Sequence, residues 1–106
     1  YPALPEDPGH TIWKRDFSGA CGLFGVALKK EVRETALHAL IDGLRHFGRG
    51  YSWGGFESLL IQSLPERSVT PPIHDGLLFR VHAGLEDPRD LIADLEAGFG
   101  RLRAAG

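Results

Sequence analysis

Methionine is missing altogether and cysteine occurs once, as Cys21, in a sequence of 106 residues. A single cysteine excludes an internal disulfide and any multi-cysteine metal site, and it fits a reducing, cytoplasmic setting. Cys21 lies among Gly19, Ala20 and Gly22, so its expected role is that of a small buried apolar residue and not a reactive thiol. Positive charge is also in short supply, with a net charge of −2 and a pI near 6.2. Lys14, Arg15, Lys29 and Lys30 are offset by nearby acids, which leaves no basic stripe for nucleic acid. No apolar run approaches the roughly 20 residues of a membrane-spanning helix, and no charged-then-apolar segment resembles a signal peptide. No membrane partner is therefore expected. Because the sequence opens at Tyr1-Pro2 with no initiator methionine, it is expected to be a piece of a longer chain.

What is present suits one globular domain with a modest core: 42% apolar and 25% charged residues, with no repeat and no low-complexity tract. Asp7-Pro8 has the form of a helix cap followed by proline, predicting a short helix from Pro8 to Arg15 anchored by Ile12 and Trp13. The apolar run from Gly22 to Lys29 predicts a buried strand. From Glu31 to Phe47, Leu37, Leu40, Ile41 and Leu44 recur at helical spacing, with acids in the first turn, Arg45 and His46 in the last, and Gly48 as the stop. Glu57–Gln62 and Leu77–His82 predict two more strands, separated by a proline-rich connection from Pro65 to Gly76. Asp87-Pro88 repeats the cap signature, and Leu91, Ile92, Leu95, Phe99 and Leu102 trace one face of a closing helix to Arg103. The order implies an α+β domain, a small and largely antiparallel sheet with helices packed on one side.

Two features of this frame carry polar groups that packing does not explain. The run Gly48-Arg49-Gly50-Tyr51-Ser52-Trp53-Gly54-Gly55-Phe56-Glu57-Ser58 sets aromatic and polar side chains between glycines, as a shaped loop does. Its spacing fits neither the dinucleotide fingerprint nor the nucleoside-triphosphate loop. No histidine stands near Ser52 in the sequence, so a hydrolase nucleophile is not expected there. The second feature is Arg80, inside the apolar strand Leu77–His82. Alternation places Leu78, Arg80 and His82 on one face and Leu77, Phe79 and Val81 on the core face. Arg80 is then either solvated or a planar fork for a carboxylate or phosphate. The five histidines, His10, His38, His46, His74 and His82, show no metal-ligand spacing, and a third zinc ligand is missing. Glu86 and Asp87 are expected to serve the cap of the last helix.

Three segments in order, WKRDFSGACGLFGVALK, YSWGGFESLLIQ and LLFRVHAGLEDPRDLIADLE, resemble the C-terminal small domain of the Cys/Met-metabolism pyridoxal-phosphate enzymes. The resemblance covers nearly the whole chain and is nearest to the bacterial cystathionine β-lyase branch. The related γ-synthases and γ-lyases typically carry a Glu-Ser-Leu-Gly-Gly version of the loop, where this chain has Tyr51-Ser52-Trp53-Gly54-Gly55. That branch typically converts cystathionine to homocysteine, pyruvate and ammonia by α,β-elimination, in methionine biosynthesis.

The resemblance also implies roles. Arg80 would grip the substrate α-carboxylate, and Ser52 would orient the amine of the Schiff-base lysine. Tyr51 and Trp53 would shape the substrate pocket, Trp53 also offering its backbone N–H to the carboxylate. The lysine, the aspartate that pairs with the pyridine nitrogen and the phosphate-binding residues belong in this family to a larger preceding domain. Residues 1–106 are therefore expected to be the small domain alone, with the pyridoxal-phosphate-binding domain as its missing partner and no cofactor-binding residue or activity of its own. The parent is expected to bind pyridoxal 5'-phosphate and to be a cytoplasmic homotetramer. Without the resemblance, such a fold also suits a free-standing small-molecule-binding module and, after it, an oligomerisation domain anchored by Trp53.

Overall fold

The computed structural model describes residues 1–71 and 74–106. Along the chain run α1 (His10–Asp16), β1 (Leu23–Ala27), α2 (Glu34–Asp42), β2 (Leu59–Ser63), β3 (Leu78–His82) and α3 (Pro88–Ala105). The expected connection from Pro65 to Gly76 contains no helix or strand among its described residues, and Pro72 and Ile73 lie outside them.

The three strands form one sheet in the order β1-β3-β2, with both pairings antiparallel. Register sets the two faces. Phe24, Val81 and Leu60 are Cα partners across the sheet, as are Val26, Phe79 and Gln62. Side chains alternate along a strand, so these two rows share one face. Phe79, Val81 and Leu60 are each 1% exposed and form one cluster with Ala36, Leu37, Leu40 and Ile41 of α2 and Leu91 and Leu102 of α3. Both long helices thus cover the same side, as the α+β reading requires. The other face carries Leu23, Gly25 and Ala27 of β1, Leu59, Ile61 and Ser63 of β2, and Leu78, Arg80 and His82 of β3. None of the core residues comes from it.

The local reasons are legible. Asp87 caps α3, its side chain accepting the Arg89 N–H at 2.9 Å, and Pro88 occupies a first-turn position where a missing N–H is no loss. Leu91, Leu95, Phe99 and Leu102 face inward, but Ile92 is 57% exposed and falls outside the stripe.

The helix expected from Glu31 to Phe47 is shorter, Glu34–Asp42, and its stop is Gly43 and not Gly48. The cause is tertiary. Arg101 of α3 donates from Nε to the Ala39 carbonyl at 3.0 Å and from Nη2 to the Leu40 carbonyl at 2.8 Å. Two of the carbonyls that a continuing helix would use are thereby occupied. A Cβ at position 43 would stand 2.3 Å from the Arg101 guanidinium, so a side chain there would have to displace it. Beyond it, the 6% exposed Asp94 takes the N–H groups of Arg45, His46 and Phe47 at 2.7–3.3 Å, holding that turn out of the helix.

The amino-terminal part also differs from expectation. α1 has no buried residue, Ile12 is 57% exposed and Trp13 is only half-buried, its indole N–H donating to the Gly19 carbonyl at 3.0 Å. Cys21 is exposed, not buried. Cys21 lines an open cavity with Ile12 and Trp13 of α1, so small neighbours in the sequence do not bury it.

Candidate functional site

The glycine-framed loop is built on the sheet edge. Phe47 is buried and fixes the chain at the end of the Asp94-held turn, and Gly48 then pairs alongside Leu59 as an isolated parallel bridge. The Gly48 N–H donates to the Ser58 carbonyl at 2.9 Å, and the Leu60 N–H donates to the Gly48 carbonyl at 2.8 Å. Residues 49–57 therefore leave and re-enter the edge of β2 at one place. Such a loop, with ends tied at its base, can hold a fixed shape without regular structure.

Its far side is tied to β3 and to the segment after it. An Arg80 Nη2–H donates to the Tyr51 carbonyl. His82 accepts the Gly54 N–H at Nδ1, 3.4 Å away, and its Nε2 lies 2.9 Å from the Gly55 carbonyl. The Leu85 N–H donates to the Phe56 carbonyl at 2.8 Å. Ser58, 2% exposed, accepts the Gly84 N–H on its hydroxyl at 2.7 Å and donates its own N–H to both Glu86 carboxylate oxygens at 3.1 Å. Hydrogen bonding from Ser58 holds the Glu86 carboxyl below its ordinary value. Glu86 thus anchors the loop, and only Asp87 caps α3. Gly84 lets these backbones approach, since a Cβ there would stand 2.2 Å from the Phe56 carbonyl oxygen. Gly54 has φ +86°, a left-handed conformation that favours glycine.

Within this frame Tyr51 and Arg80 are brought together, through the Tyr51 carbonyl. Both line a cavity of about 310 Å³ with Ile61, Gln62, Ser63 and Leu64. Ser52 and Trp53 follow on the same exposed loop and, among the described residues, make no side-chain hydrogen bond to Arg80. Arg80 is half-buried, and among the described residues no ion pair includes it. Tyr51, Trp53 and Phe56 are 77%, 61% and 69% exposed, so the loop turns its aromatic side chains outward.

The letters Gly50-Tyr51-Ser52-Trp53-Gly54 do spell Gly-x-Ser-x-Gly, which in hydrolases marks a strand-to-helix elbow. Here they lie between α2 and β2, and no histidine hydrogen-bonds the Ser52 hydroxyl among the described residues. The context, not the letter pattern, removes the nucleophile reading. Nor do three or more His, Cys, Asp or Glu side chains gather as metal ligands among the described residues, and no described helix is long and apolar enough to cross a membrane.

The sequence pattern that defines the Cys/Met metabolism PLP-dependent enzymes matches residues 1–100. The chain belongs to that family. Cystathionine β-lyase of Salmonella typhimurium is 49% identical over 107 aligned residues, which cover 96% of this chain and 27% of the relative. An L-alanine/L-glutamate racemase of Wolbachia pipientis is 44% identical over 96% of this chain and 26% of its own. Among solved structures, a cystathionine γ-synthase from Xanthomonas oryzae pv. oryzae in complex with cystathionine superposes with a TM-score of 0.84 at 34% identity, covering all of this chain and 29% of that one. The chain thus spans about a quarter of the length of the curated relatives it matches. Family membership raises the question of pyridoxal phosphate, and no lysine stands at this site to form its Schiff base. Lys14, Lys29 and Lys30 are all exposed, and none lies on the loop or in the Arg80 cavity.

Sequence reasoning named Arg80, Tyr51, Ser52 and Trp53 but missed the supports, Ser58, His82, Glu86 and Asp94. His82 was the most accessible of these, because alternation had already put it on the face of Arg80.

Proposed function

We propose that these residues form the C-terminal, substrate-side domain of a pyridoxal-phosphate-dependent carbon–sulfur lyase that cleaves cystathionine by α,β-elimination. The observation that supports the reading is Arg80, a half-buried guanidinium with no carboxylate partner among the described residues, beside a loop of fixed shape. Its planar fork suits two carboxylate oxygens, which is how an amino-acid substrate is held by its α-carboxylate. Fixing that group orients the bonds at the α-carbon before reaction. Ser52 and Trp53 stand on the same loop, Ser52 to orient the lysine amine of the preceding domain and Trp53 to offer its N–H to the carboxylate, with Tyr51 shaping the entrance. The cofactor is held by residues outside these 106.

Relatives similar over this domain include both a cystathionine β-lyase and a racemase, so the test must separate those reactions. The decisive measurement uses the full-length enzyme. Arg80→Ala is expected to raise KM for cystathionine on the order of 10²-fold, the loss of a charge-assisted pair to the substrate carboxylate. An unchanged KM would remove Arg80 from the carboxylate role, and turnover of alanine or glutamate in place of cystathionine would remove the lyase assignment.

A further inference from the structure

His82 lies on the sheet face opposite the core, yet the glycine-framed loop covers it and supplies the hydrogen-bond partners of its ring. Its Cα partners across the sheet are Leu23 and Leu59, so its neighbours along that row are apolar, and it is 8% exposed. The polar partners of the ring are both loop backbone groups, the Gly54 N–H at Nδ1 and the Gly55 carbonyl at Nε2. A carbonyl accepts only from a protonated nitrogen, and an N–H donates only to a nitrogen lone pair. One form of imidazole meets both conditions, the neutral ring with its proton on Nε2. The other neutral tautomer loses both bonds, and the imidazolium sets one N–H against another at Gly54.

We propose that His82, as the neutral Nε2–H tautomer, is a positioning residue that locks Gly54 and Gly55 to β3 and so fixes Trp53 relative to Arg80 for substrate binding. The inference rests on the lyase reading above for its consequence in catalysis, and on the two ring contacts alone for the lock. β3 then carries both halves of the arrangement two residues apart. Arg80 faces the substrate carboxylate and also donates to the Tyr51 carbonyl, while His82 holds the loop beyond Trp53. Gly54 is the residue that allows it, because its left-handed φ of +86° is open to glycine and strained for an L side chain.

The test compares His82→Leu and His82→Gln in the full-length enzyme. Leucine fills space without either hydrogen bond. Glutamine carries an acceptor and a donor on one terminal group and has no charged form. Hydrogen–deuterium exchange of the peptide covering residues 50–58 and steady-state kinetics are read together. His82→Leu is expected to speed exchange in that peptide at least tenfold and to raise KM about tenfold with kcat within twofold. His82→Gln is expected to restore both measures to within threefold of the parent. Unchanged exchange and KM in His82→Leu, or a glutamine variant no better than the leucine one, overturns the inference. The outcomes separate from those of the lyase reading. If Arg80→Ala raises KM and His82→Leu does not, the His82 role fails alone. If Arg80→Ala leaves KM unchanged, the exchange arm still decides whether His82 locks the loop.

Discussion

At the scale of single residues, the loop is held by polar groups with little slack. Ser58 uses its N–H, carbonyl and hydroxyl at once, on Glu86, Gly48 and Gly84. Ser58→Ala would leave the Gly84 N–H without its partner in a part-buried site, at a cost of about 1–3 kcal/mol, measurable by urea unfolding. A replacement of equal stability would show that water takes over that bond. Gly84→Ala acts through space instead, since its Cβ would overlap the Phe56 carbonyl. Its expected cost is about 1–3 kcal/mol. Because the clash is with loop backbone, KM is expected to rise together with the fall in thermal midpoint. Arg80 and His82 show what alternation can and cannot give. The pattern put them on the face opposite Phe79 and Val81, and the register agrees. That His82 would be covered depended on a loop about 27 residues earlier in the chain, which strand periodicity does not encode.

Among elements, the contact between α2 and α3 decides where the loop begins. Arg101 ends α2 from outside and Asp94 holds the next turn, so two charged side chains of one helix shape the exit of the other. Burial pulls the Asp94 carboxyl up, but the N–H groups of Arg45, His46 and Phe47, with the His46 side chain, outweigh it and hold it below its ordinary value of 3.8. The sign follows. A depressed folded-state value means that the unfolded chain binds the proton first, so the stabilisation is complete above about pH 3.8 and is lost as pH falls through the lower folded-state value. Asp94→Asn should flatten the acid limb of the stability curve and cost about 1.5–3 kcal/mol at pH 7, the worth of hydrogen bonds to a charged acceptor. An acid limb as steep as that of the parent would show that other carboxylates dominate it. The amphipathic stripes make both helices legible, yet α2 ends at Asp42, before its stripe does. Helical spacing continues to Leu44, and nothing local reports a guanidinium arriving from residue 101.

For the molecule as a whole, one face of the sheet is covered by helices and the other is not. The uncovered side holds Arg80 and the loop, and Tyr51, Trp53 and Phe56 are exposed beside it. This arrangement suits a surface completed by another domain, and it leads to two expectations for the 106-residue chain by itself. It should neither turn over cystathionine nor retain added pyridoxal phosphate through dialysis, and cofactor retained at one equivalent would overturn the division of labour proposed above. It should also associate with itself at high concentration through the exposed aromatics, read as a rising sedimentation coefficient that Trp53→Ser lowers.

The sequence by itself determined the α+β class, the six elements in order, the cap of α3, the core face of β3 and the family. Each of these is a local pattern, a periodicity, a cap or a run of letters, and local patterns survive without knowledge of distant contacts. Only the tertiary structure decided that Cys21 and Ile12 are exposed, that α2 ends at Asp42, that Glu86 serves Ser58, and that His82 is held between two loop backbone groups. These depend on partners about 27 to 62 residues away, or on how openly the amino-terminal segment packs. The glycine-framed loop stands on both sides of this division. Its letters marked it as a shaped segment, while its shape is set by Asp94, Ser58, Arg80 and His82, because a loop without a ladder of its own takes its hydrogen bonds from the elements around it.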